Sequence, residues 1–153
     1  MASKAQEAPT KPSSRCFLLL KVSFIRDTWF WVYIGSGVIG ALAVCHFTRF
    51  NGYQQVTPQI IFFSILAYPL LEEIVFRAGL QKFLFLRTRS FLASLIVSGL
   101  VFTGIHVLVR RELVMVLVFI PSLVFGHLYH RKGSLVQPII MHAWYNALFM
   151  IIV

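Results

Sequence analysis

Glu72 and Glu73 stand side by side in "LAYPLLEEIVFRAGLQ", residues 66–81, in a chain with only five acidic residues. Arg77 follows four residues after Glu73 in the same apolar run, His106 ends the run "FTGIH", and His142 and Asn146 belong to "HAWYN". A charge at the centre of a bilayer costs roughly 2.5–3.5 kcal/mol on insertion scales, so such groups face a bundle interior and mark function by default. Residues four apart share a helix face. Glu73 and Arg77 can therefore pair and partly neutralise each other, while Glu72 points about 100° away and stays free. His142 with Asn146, and Phe102 with His106, have the same spacing. One carboxylate, two imidazoles and one carboxamide can thus converge between three helices, with the ion pair as support. A carboxylate held away from bulk water can act as a general base on water. A histidine beside it can share that water. A second histidine and an asparagine can donate hydrogen bonds to a developing oxyanion. No serine or cysteine sits in a nucleophile motif. The expected chemistry is attack of water on an amide, at membrane depth.

The elements that must position these groups are membrane spans. The chain is 58% hydrophobic and 12% charged over 153 residues, against about 25% charged in soluble domains. Its net charge of +9 does not indicate nucleic acid, because the Lys and Arg residues mostly lie between apolar runs, where membrane proteins keep them. Cys16 and Cys45 make no disulfide framework. Residues 1–26 read as a polar N-terminal tail followed by an interfacial segment, and 27–153 as the membrane domain. Spans are expected at Trp29–Phe47, Pro58 to about Leu86, Phe91–Val109, Leu113–Tyr129 and Leu135–Val153, giving an all-α polytopic bundle of about five helices. Pro69 and Pro121 predict kinks, and "HRKGS" a tight polar turn. His46, His127 and His130 read as interfacial or turn residues.

Depth supports convergence. Glu72 lies 15 residues before Arg87, His106 lies 16 after Ser90, and His142 and Asn146 lie 8 and 12 after Ser134. At helical rise these are depths of roughly 12–24 Å. With five spans, ten Lys and Arg residues fall on the side of the N-terminus and three on the other, which predicts a cytoplasmic N-terminus.

Three of these stretches also carry a resemblance. "EEIVFR" fits EExxxR, "FTGIH" fits FxxxH and "HAWYN" fits HxxxN, in order and on spans. Over about residues 58–153 the chain resembles the CAAX protease and bacteriocin-processing family, which includes the type II CAAX prenyl proteases. The resemblance implies an intramembrane glutamic protease with no cofactor. It assigns Glu72 as the base that activates water, with His106 helping to hold it. His142 and Asn146 form the oxyanion hole, Glu73 and Arg77 are accessory, and Phe102 sets the pose of His106. The substrate would be a membrane protein or a lipidated protein, cut near its C-terminal part. The chain departs from the family in having about one span before the first motif, which leaves open how the groove is walled and whether the chain acts as a homo-oligomer. Two other classes remain. A Zn²⁺ hydrolase would use Glu72, His106 and His142 as ligands. A non-catalytic membrane interaction or immunity protein would tolerate Glu72→Gln.

Overall fold

The apolar runs form helices joined by short connections. In the computed structural model the described residues are 26–48 and 56–152, and among them there is no strand. The tail before residue 26, with Cys16, lies outside them. Helix α1 runs Thr28–Thr48, α2 Pro58–Thr88, α3 Phe91–Arg110, α4 Leu113–Lys132 and α5 Val136–Ile152. The first four are long and apolar enough to cross a membrane. The fifth expected span is helical over 17 residues, about 26 Å, the lower end of the range for a crossing. Large apolar side chains point outward in numbers no water-soluble surface carries: Ile39, Leu108 and Leu113 keep 71, 76 and 84% of their area exposed. This is an integral membrane protein.

Local chemistry sets the ends. Thr57 caps α2, its hydroxyl accepting from the Ile60 N–H at 3.3 Å ahead of Pro58. Ser90 caps α3 in the same way, accepting from Ala93 at 3.2 Å. Gly133 ends α4 at φ +63°, the left-handed conformation that glycine adopts without penalty. Arg89 and Arg111 take the same conformation at φ 54° and 57°. Links this short make α2, α3, α4 and α5 run antiparallel in turn. The predicted "HRKGS" turn is smaller than expected, because His130, Arg131 and Lys132 belong to the last helical turn of α4.

Both prolines sit beside a change of helix register. Pro69 does not break α2. The helix widens to π register over Phe63–Ala67, returns to α over Tyr68–Glu73, and widens again over Ile74–Gln81. Pro121 falls in the first turn of the α-helical part of α4, Phe119–Lys132, after a 3₁₀ stretch at Leu113–Val118. A missing N–H costs nothing in a first turn.

α5 packs on α1, α2 and α4; α3 packs on α2 and α4. Gly126 lets α4 come close: a Cβ there would sit 2.5 Å from Leu95 and 2.7 Å from Gln81. The Gln81 amide donates to the Gly126 carbonyl at 2.9 Å. The first helix is fastened at both ends of its contact. Asp27 caps it, accepting from the Trp29 N–H at 3.1 Å, and also pairs with Arg131 at 2.9 Å and Lys132 at 3.4 Å on α4. Further along, the Trp144 indole donates to the Ile34 carbonyl at 3.2 Å and the Tyr145 hydroxyl to the Tyr33 carbonyl at 2.9 Å. Phe30, Phe125, Leu128 and Met141 form the core under these contacts.

Candidate active site

The two adjacent acids of α2 occupy different environments. Glu73 is fully enclosed. Its Oε2 accepts from Arg77 Nε at 2.9 Å and its Oε1 from His142 Nδ1 at 2.9 Å. Arg77, equally buried, spends its remaining donors on two serines: Nη1 on Ser98 of α3 at 3.3 Å and Nη2 on Ser122 of α4 at 3.1 Å. Its guanidinium lies between the rings of Phe102 and Phe125, 5.3 and 5.9 Å from their centroids. The expected Glu73–Arg77 pair is therefore the hub of three helices, and through His142 it reaches a fourth. The serines come from positions 21 and 45 residues away, so no local spacing announces them.

Glu72, with 27% of its side chain exposed, faces a cavity of about 800 Å³. His106, His142, Asn146 and Phe102 also line it. The Glu72 Oε2 atom is enclosed and has no hydrogen-bond partner. It lies 3.7 Å from His106 Nε2 and 3.6 Å from His142 Nε2, too far for direct hydrogen bonds.

The other nitrogen of each ring explains this. His106 Nδ1 lies 2.9 Å from the Phe102 carbonyl, which only accepts, so Nδ1 carries the proton. His142 Nδ1 donates to Glu73 in the same way. Both rings therefore turn Nε2 toward the Glu72 oxygen. One carboxylate oxygen and two imidazole nitrogens face one point, and a water molecule there has two hydrogens to share among them. Ring packing holds the imidazoles in place. Phe102 lies 4.4 Å from His106, and Phe125 stacks on His142 at 4.7 Å and 18°.

The fourth expected group has a partner that sequence spacing does not reveal. Asn146 Nδ2 donates to the carbonyl of Ser64 at 2.7 Å. That carbonyl is free because of the helix register around Pro69. The Tyr68 N–H reaches Phe63 in π fashion, and Pro69, the next donor along, has no N–H. One N–H of the Asn146 amide is thus held and the other remains for the cavity. His127, outside the cluster as expected, bonds the Tyr33 hydroxyl at 2.7 Å, and His130 stacks on Phe91 at 4.1 Å. Among the described residues no group of three His, Cys, Asp or Glu side chains has the disposition of a metal site.

Comparison with known proteins agrees with the geometry at the level of family. A family model described as "Type II CAAX prenyl endopeptidase Rce1-like" matches residues 54–148, which contain α2, α3, α4 and most of α5. No curated protein and no solved structure matches the chain.

Proposed function

The chain belongs to the Rce1-like family of type II CAAX prenyl endopeptidases, a family of membrane proteases, and we propose that it is a glutamic intramembrane endopeptidase acting through water held between Glu72, His106 and His142. Its substrate on this reading is a membrane protein or a lipidated protein, cut near its C-terminal part. The observation that carries the reading is the enclosed, unpartnered Oε2 of Glu72, flanked by the Nε2 atoms of two imidazoles.

A water at that point donates one hydrogen to Glu72 and the other to His106 Nε2. As its oxygen attacks the peptide carbonyl carbon, Glu72 takes the first proton and the carbonyl oxygen becomes an oxyanion. The free N–H of Asn146 donates to that oxyanion. His142, whose Nδ1 is held by the Glu73 carboxylate, flanks the same oxyanion and keeps its orientation through the step. When the C–N bond breaks, the carbonyl re-forms and Glu72 passes its proton to the leaving nitrogen. The products are a new carboxyl terminus and a new amine. The imidazoles need not search for their pose, because the Phe102 carbonyl and the Glu73 carboxylate fix both tautomers.

The test works without a substrate in hand. The termini of membrane proteins are compared by mass spectrometry in cells carrying the wild-type chain or Glu72→Gln. Uncut proteins that accumulate only with the variant support the proposal. Identical termini at good coverage overturn it and favour a non-catalytic interaction protein.

A further inference from the structure

Trp144 and Tyr145 lie on α5 between His142 and Asn146. At about 100° per residue, Trp144 stands about 180° round the helix from the midpoint of that pair, and Tyr145 about 80° to one side. Both reach α1. The Trp144 indole N–H donates to the Ile34 carbonyl at 3.2 Å and the Tyr145 hydroxyl to the Tyr33 carbonyl at 2.9 Å, so consecutive residues of α5 grip consecutive carbonyls of α1. A helix carbonyl has a second lone pair for such a bond. The Ser36 hydroxyl donates to the same Tyr33 carbonyl at 3.0 Å and stands 3.3 Å from the Tyr145 oxygen. Gly37 completes the seat, because a Cβ there would overlap the Tyr145 ring.

Rings connect this seat to the site. Tyr145 packs on Phe125 with centroids 5.5 Å apart, and Phe125 in turn stacks on His142. His142 and Asn146 themselves bond to α2, at Glu73 and Ser64. α5 is thus held from two sides. Groups that act on a reacting carbonyl exchange partners during the step, so the helix beneath them needs a hold that does not exchange. Side chains reach roughly 6 Å from a helix axis, so a rotation of about 10° moves them by about 1 Å. A misplacement of that size can cost about 100-fold in rate.

We propose that Trp144 and Tyr145 are positioning residues: through the Ile34 and Tyr33 carbonyls and the seat at Gly37, α1 sets the rotation of α5 that aims His142 and Asn146 at the point faced by Glu72. The hold comes from a helix outside the region that matches the family. Trp144 does not line the cavity, so its loss acts on the site only through α5. The consequence for cleavage rests on the protease reading; the hold on His142 does not.

The experiment reads the pose of His142 directly. Full-length protein with isotope-labelled histidine is compared by NMR in detergent micelles as wild type, Trp144→Phe, Tyr145→Phe and Gly37→Ala. His142→Ala and His130→Ala assign the two rings. Phenylalanine keeps an aromatic ring at each position and removes the donor, and the two phenylalanine variants decide the matter alone if Gly37→Ala does not fold. The proposal expects the ring-nitrogen signals of His142 to move in each variant, while those of His130, stacked on Phe91, stay in place. On a substrate identified by the terminal comparison, Trp144→Phe should lower kcat roughly tenfold with KM unchanged. Unmoved His142 signals overturn the proposal. Equal movement of His130 overturns it too, since α1 would then steady the bundle as a whole, and so does a raised KM with kcat unchanged. Moved His142 signals in a chain on whose Glu72 no protein termini depend remove the protease reading and leave the hold of α1 on α5 standing.

Discussion

Glu72 and Glu73 are neighbours in sequence, yet Glu73 has an ion pair and an imidazole as partners, while Glu72 has an enclosed oxygen with none. On the proposed mechanism two acids are needed, because one compensates Arg77 and orients His142 and the other keeps a lone pair for water. Arg77→Ala leaves the Glu73 carboxylate buried without its charge partner, which costs about 3–5 kcal/mol. Thermal unfolding in detergent micelles should show a large loss. Arg77→Lys should not restore it, because an ammonium cannot reach Glu73, Ser98 and Ser122 from one plane. Unfolding close to wild type in both variants would contradict the hub. At this scale much was legible. The i,i+4 spacing gave the Glu73–Arg77 pair, and motif order gathered Glu72, His106, His142 and Asn146. The serines, the Glu73–His142 bond and the Ser64 carbonyl were not legible, since each depends on which helices touch.

Helix register carries the next level of information. The π turn before Pro69 frees a carbonyl that holds Asn146. Pro69→Ala returns an N–H to that position, so the helix can satisfy Ser64 internally and release Asn146. We expect kcat to fall by roughly tenfold with KM unchanged, and the loss to disappear in an Asn146→Ala background. Multiplying effects in the double variant would show that Pro69 does not act through Asn146.

At the other end of the bundle, Asp27 ties α1 to α4 outside the spanning segments. Burial alone would raise its carboxyl, but Arg131, Lys132 and Gln137 hold it below its ordinary 3.8. The unfolded chain then binds that proton more readily than the folded one. The clamp therefore stabilises fully above 3.8 and is lost as pH falls through the lower folded value. Asp27→Asn should lower the unfolding temperature at neutral pH and remove this acid component; an unchanged acid profile would contradict it. The helices themselves were legible from their apolar runs. The π and 3₁₀ segments were not, because hydrogen-bond register leaves no periodic trace in such uniformly apolar sequence.

The whole molecule adds what no motif contains. The family match begins at residue 54, yet α1 forms one wall of the cavity with Ser36, Gly37, Gly40 and Ala41. The site is thus enclosed in part by a helix that lies outside the matched region. A Cβ on Gly40 would meet nothing within 4 Å, so Gly40→Leu should fold normally and project into the cavity. Cleavage should fall by roughly tenfold or more with unfolding unchanged, whereas full activity would mean the substrate does not pass α1. The all-α class was legible from composition; the cavity was not, because residues from all five helices line it.

The central claim is that Glu72 serves as the base on water, and its most direct measurement is the single-turnover cleavage rate of purified wild-type and Glu72→Gln protein on a substrate named by the terminal comparison. Glutamine keeps the shape of the side chain and removes its basicity. The account predicts a loss of at least about 100-fold with the same unfolding temperature. Cleavage by Glu72→Gln at the wild-type rate would contradict it.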